Sequence, residues 1–183
     1  MDIKELALKG AYEITRRAFI DDRGTFCRFY DYELFKKAGI EEPISQINHS
    51  ITVNKGTVRG MHFQYQPAAE IKMVSCVSGR AFDAIVDIRK GSDTFLKWCF
   101  VELDPAKHNT IIVPKGFAHG FQALEDNTTL IYCSTTPYSK EDEAGIRHND
   151  PKIAIEWPLE PIGLSERDKA FANIDDNFKA VTL

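Results

Sequence analysis

Apolar and polar positions alternate over short stretches broken by Gly, Pro, Asn and Ser, and this two-residue period predicts β-strands. Nine are predicted: Thr25–Tyr30, Gln46–Val53, Thr57–Gln64, Lys72–Val77, Arg80–Ile88, Lys97–Leu103, Thr110–Val113, Gly120–Leu124 and Thr129–Ser134. The breaks fall at Asn54–Gly56, Ser78–Gly79, Gly91–Ser92, Pro105, Pro114–Gly116 and Glu125–Asn127. Arg80–Ile88 (RAFDAIVDI) sorts cleanly, with Phe82, Ala84, Val86 and Ile88 on one face and Asp83, Ile85 and Asp87 on the other. Helix signals are few. Asp31–Ala38 opens on an aspartate suited to an N-cap and stops at Gly39; Ser165–Phe171 opens on a serine cap. Many short strands with little helix predict an all-β sandwich or barrel with short peripheral helices. No repeat, low-complexity segment or long linker interrupts the 183 residues, so one domain over 1–183 is expected.

Composition adds exclusions. The chain is 43% hydrophobic and 27% charged, an ordinary globular balance. A net charge of −4 gives no sign of a nucleic-acid or membrane partner, although an acidic protein can still carry a basic pocket. No apolar run reaches membrane-spanning length. The opening MDIKELALKG carries charge throughout and lacks a signal-peptide core, so a cytoplasmic location is expected. Cys27, Cys76, Cys99 and Cys133 are far apart, form no CxxC pair and lie in strand-like stretches, as small core or face residues do.

Polar groups on apolar strands need partners when buried, and several stand out. Arg59 and His62 share VRGMHFQYQ; Lys72 follows in IKMVSC and Asp83 in RAFDAIVDI; His119 comes just after the Pro-Gly turn of PKGFAHGF; Tyr132 sits in LIYC. Taken singly, each has a plain structural reading: Lys72 on a solvated face, Asp83 at a polar rim, Tyr132 as an ordinary strand residue. His108 and His148 lie in polar, loop-like surroundings, which predicts solvation, and His49 in a turn-like NHS gives no signal. Gathered at a barrel mouth, the group would be a site. His62, Glu70 and His119 also resemble the metal-ligand motifs of cupins. Gln64, however, stands where the second histidine of an HxH pair belongs, and Arg59 and Lys72 would crowd a cation with like charge.

QINHS, VRGMHFQ, KMVSCVSGRAFDAIVDIRKGSDTF, PKGFAHGF, LIYCSTTPYSKEDEAGI and NDPKIAIEWP, in order from about Asp22 to Asp168, resemble the dTDP-4-dehydrorhamnose 3,5-epimerase family. The resemblance implies a cupin jelly roll, no metal and no other cofactor, a homodimer, a nucleotide-diphosphate 4-keto-6-deoxy sugar as substrate, and a role in deoxysugar and O-antigen lipopolysaccharide biosynthesis. It assigns His62 as base, Asp168 of LSERD as its orienter and Tyr132 as acid, and its substrate positions fall on Arg23, Phe26, Gln46, Asn48, Arg59, Lys72, His119, Tyr138 and Glu143. Beside these, Lys72 and His119 are expected to neutralise the enolate, Asp83 to complete the catalytic set, and Arg167, next to Asp168, to bind substrate.

These residue types suit the reaction. Removing the weakly acidic hydrogen beside a ketone leaves an enolate, so an epimerase needs a base, an acid on the opposite face and positive charge near the oxygen. Histidine is neutral near pH 7 and a carboxylate on its second nitrogen fixes the tautomer; tyrosine carries a proton to donate; arginine grips a diphosphate. One departure from the family pattern is RGTFCRF, where Arg28 replaces a glutamate at the nucleotide base. Arginine donates hydrogen bonds, which suits cytosine better than thymine and raises a CDP-linked 4-keto-3,6-dideoxy sugar as substrate. A metal-dependent cupin isomerase or dioxygenase and a non-catalytic sugar-nucleotide binding module are the alternatives.

Overall fold

The computed structural model describes residues 2–183. In chain order the strands are β1 (Asp2–Glu5), β2 (Tyr12–Thr15), β3 (Ala18–Asp21), β4 (Gly24–Cys27), β5 (Gln46–Thr52), β6 (Val58–Gln64), β7 (Lys72–Ser78), β8 (Ala81–Asp87), β9 (Trp98–Leu103), β10 (Asn109–Val113), β11 (Phe117–Ala123), β12 (Thr128–Ser134) and β13 (Glu143–Gly145). Two five-residue helices, α1 (Tyr32–Lys36) and α2 (Glu166–Ala170), begin at the expected caps, with Asp31 accepting from the Leu34 N–H and Ser165 from the Asp168 N–H. Eight of the nine expected strands lie within a few residues of their expected bounds, and a ninth, Thr25–Tyr30, stops at Cys27. β1, β2, β3 and β13 were not expected. They are three or four residues long, and partners rather than an internal period define them. β11 starts at Phe117, so His119 lies inside a strand rather than just after a turn.

The fold is a cupin-type jelly roll of two antiparallel sheets, ordered β1-β2-β10-β7-β12-β5 and β13-β6-β11-β8-β9, with the β3–β4 hairpin standing apart. Between the sheets pack Val74, Ile85, Leu103, Ile111, Phe117 and Leu130, among others. The outer face of the five-stranded sheet is covered too, with Met61, Phe63, Phe82, Ala84, Val86 and Ile88 lying under Ile146, Ile153, Ile155, Ile174 and Val181. This explains β8: its two apolar sets enter two different cores, and every residue in it is buried. α1 and the turn after it close a third cluster, packing Phe35 and Ile40 on Ile14, Met73 and Ile112.

Candidate active site

A cavity of about 530 Å³ opens between the sheets. Strict alternation along β6 would send Arg59 and His62, three positions apart, to opposite faces. A bulge resolves this: His119 pairs with His62 and Phe121 with Arg59, so β6 carries one extra residue. Gly60 sits in the bulge at φ +119°, where a Cβ would lie 2.6 Å from Gly120 Cα. Arg59 and His62 thus both line the cavity, while Met61 and Phe63 pack in the outer core.

His62 Nε2 lies 2.7 Å from Asp168 Oδ1, and the Gly60 N–H donates to Asp168 Oδ2 at 3.3 Å. The Asp168 side chain is 4% exposed, and it hangs from α2 beside the Ser165 cap. Burial acts to raise its carboxyl, but the bonds from His62, Gly60 and Ser165 outweigh that and hold it below the usual range. The edge of Phe171 packs on the His62 ring at 5.9 Å between centroids. Gly145, paired with His62 from β13, leaves the room that Phe171 fills.

A second pair lies on the same sheet. His119 Nε2 is 3.0 Å from both oxygens of Asp83, which is fully buried. Burial raises the Asp83 carboxyl despite the opposing pull of His119 and Lys72. Asp83 is therefore no polar rim, and its odd polarity in RAFDAIVDI is met by a histidine. Lys72 is not on a solvated face either: it lines the cavity, 3.2 Å from Glu70. From the other sheet comes Tyr132, whose hydroxyl burial pushes up. Gln46, Asn48 and Ser50 alternate inward from β5, and His49, in that strand rather than in a turn, points out.

Across the mouth, the Tyr138 hydroxyl donates to Glu143 Oε2 at 2.8 Å and Arg167 Nη1 donates to the same oxygen at 2.6 Å. Arg167 Nη2 reaches to 3.2 Å from His62 Nε2. Gln64 is a buried clamp, donating to the Ala68 carbonyl and accepting from the Ser139 N–H. His148 is half-buried rather than solvated; its carbonyl accepts from Trp157 Nε1, and burial lowers its imidazole. Among the described residues, no three of His, Cys, Asp and Glu cluster as metal ligands.

Arg23, Phe26 and Arg28 do not reach the cavity of their own chain. They ride on and just after the β3–β4 hairpin, with Arg23 tied to Asp21 and Arg28 to Asp31. Ser50 is a lining residue without an assignment from the sequence, and Glu70, named there only among candidate metal ligands, is another. The signal was there in both cases, since Ser50 continues the two-residue period of Gln46 and Asn48 and Glu70 precedes Lys72 by two.

A jelly-roll cavity holding two histidine–carboxylate pairs, an opposed tyrosine and the cations Arg59 and Lys72 defines an enzyme of the proton-transferring kind. The chain belongs to the dTDP-4-dehydrorhamnose 3,5-epimerase family of isomerases, whose model matches residues 5–176. A 3,5-epimerase of Mycobacterium tuberculosis is 41% identical over 180 residues, covering 96% of this chain and 89% of that protein. The solved structure of an epimerase from that organism superposes with a TM-score of 0.91, at 94% and 88% coverage. A Legionella pneumophila 3,5-epimerase, solved with dTDP-4-keto-L-rhamnose, is 36% identical with a TM-score of 0.89, at 93% and 90% coverage. A Streptomyces niveus relative, described as a 3-epimerase, is 38% identical over 170 residues, at 92% and 82% coverage.

Proposed function

We propose that this chain acts as a single domain to epimerise a dTDP-linked 4-keto-6-deoxyhexose at carbons 5 and 3. The observation that carries this reading is the His62–Asp168 pair, with His62 on one sheet, Asp168 on α2 and Tyr132 on the other sheet, around a cavity that also holds Lys72 and His119. With the Nε2 proton shared with Asp168, the Nδ1 lone pair of His62 is free to take the hydrogen beside the ketone. The bonding electrons move to the keto oxygen, where Lys72 and His119 oppose the developing charge. Tyr132 returns a proton to the other face of the carbon, and solvent resets both groups. Asp83 positions His119. Arg59 meets the diphosphate, Gln46 and Asn48 orient the nucleotide, and Tyr138, Glu143 and Arg167 close the mouth.

The relatives' names support thymidine as the base, and the Streptomyces niveus protein is named for inversion at carbon 3 alone. Arg28 gives a cytidine-linked sugar as the second reading, because its side chain is 65% exposed on the segment that carries Phe26. Incubation with dTDP- and CDP-linked 4-keto sugars in heavy water, read by NMR, tests both. Deuterium entering carbon 5 and carbon 3 of the dTDP sugar is expected; turnover of the CDP sugar alone overturns the thymidine reading, and binding without exchange overturns catalysis.

What one chain leaves open supports a homodimer. β5 is the edge of its sheet and exposes Ile47 and Ile51, with Val53 exposed just after it, and the hairpin exposes Phe19, Ile20 and Phe26. A partner covering these positions would bring Arg23, Phe26 and Arg28 toward a cavity. Ultracentrifugation should give a dimer at micromolar concentration; a monomer there removes this part of the account. The four free cysteines support a cytoplasmic setting.

A further inference from the structure

The segment joining β6 to β7 carries a carboxylate into the cavity that the scheme above does not use. Glu70 lies two residues before Lys72, the first residue of β7, and both side chains line the cavity. Lys72 Nζ stands 3.2 Å from Glu70 Oε1, and the two side chains are only 16% and 10% exposed. The backbone is pinned on both sides of Glu70: the Thr136 hydroxyl donates to the Ala69 carbonyl, the Ile71 N–H donates to the Thr135 hydroxyl, and the Thr135 N–H donates to the Ile71 carbonyl. On neighbouring β12, Ser134 pairs with Lys72 and Tyr132 with Val74, which sets Tyr132 diagonally from Lys72 on the same face. All three line the one cavity.

Resting on the epimerase reading, we propose that Glu70 is a positioning residue, its carboxylate fixing the Lys72 ammonium in the sugar pocket and opposing the positive charge that lines the cavity with Tyr132. The charged and titratable groups lining the cavity with Tyr132 are Arg59 and His62 from β6, Glu70 just before β7 and Lys72 at its start, His119 from β11, Tyr138, Glu143 of β13 and Arg167 of α2, with Asp83 bonded to His119 and Asp168 to His62. Cations favour the phenolate; Glu143 is engaged by Tyr138 and Arg167 at the mouth, and Glu70 is the lining carboxylate beside Lys72. Tyr132 follows this pattern: burial pushes its hydroxyl up, Arg59 pulls it down and Glu70 pushes it up again.

The test is an NMR titration of ¹³Cζ-labelled tyrosine in the full chain without substrate, with the Tyr132 signal assigned by Tyr132→Phe. Glu70→Gln should lower the Tyr132 titration by about one pH unit, the Coulomb effect of one nearby charge at intermediate dielectric. The alkaline limb of kcat should move with it. Glu70→Asp, whose carboxylate is drawn back from both groups, should move the same way by less, and it serves alone if Glu70→Gln does not fold. A Tyr132 titration unchanged in a folded variant overturns the proposal. Because the titration needs no turnover, that result leaves the epimerase reading standing, whereas a wild-type protein inert toward every 4-keto sugar sinks the reading without touching the coupling.

Discussion

Replacing Asp168 by asparagine keeps the shape of the site and removes one charge. The carboxylate meets His62 Nε2 at 2.7 Å and takes the Gly60 N–H on its other oxygen. An asparagine can keep one of these contacts only with its amide turned the right way, and it cannot neutralise an imidazolium. A hydrogen bond to a charged group contributes about 1.5–3 kcal/mol, and loss of the fixed tautomer adds to that. A total near 4 kcal/mol corresponds to a roughly thousandfold fall in kcat at 1.36 kcal/mol per decade. Stability should fall much less, by about 1–2 kcal/mol. The sign with pH is fixed by direction: the folded carboxyl is depressed, so its contribution is present above the unfolded value and lost as pH falls through the folded one. Asp168→Asn should lack that acid-limb loss. The assay is hydrogen exchange and inversion at carbon 5 by NMR, with urea unfolding as the control. A folded variant within tenfold of wild type would refute the dyad.

Three further outcomes are expected. Tyr132→Phe keeps the base and loses the donor, so exchange at carbon 5 should survive better than net inversion; an equal fall in both counts against Tyr132 as the acid. Gly60→Ala places a methyl against Gly120 at a backbone angle that L-residues rarely adopt; it should cost about 2–4 kcal/mol in urea unfolding and misplace His62, and a neutral effect would contradict the bulge. Burial acts to raise Asp87, but Arg89, Ser92 and Thr94 outweigh it and hold its carboxyl to about 2. It therefore contributes about 2 kcal/mol that is present above pH 4 and lost between about pH 4 and 2, a loss that Asp87→Asn should flatten in acid-unfolding curves.

Where two faces of a strand meet two cores, the sequence period is legible, as in β8, because each apolar position is fixed by burial. The polar exception in such a strand is legible for the same reason: Asp83 could not be buried without a partner, and His119 supplies it. What alternation hides is the bulge. A two-residue period separates Arg59 from His62, and only the isolated glycine between them hints that both turn to one side. Gln64 reads as a vacant ligand position, yet it clamps two loops through contacts 4 and 75 residues away in sequence. β1, β2, β3 and β13 depend on partners and carry no signal of their own. The assignment of Arg23, Phe26 and Arg28 to the site came by resemblance alone, because the hairpin makes no contact with its own cavity.

The most direct measurement is the rate at which wild type and His62→Asn move solvent deuterium into carbon 5 of a dTDP-linked 4-keto-6-deoxy sugar. With His62 as the base, exchange and epimerisation should both fall at least about a thousandfold in a variant that remains folded. Wild-type exchange in folded His62→Asn would contradict the account at its centre.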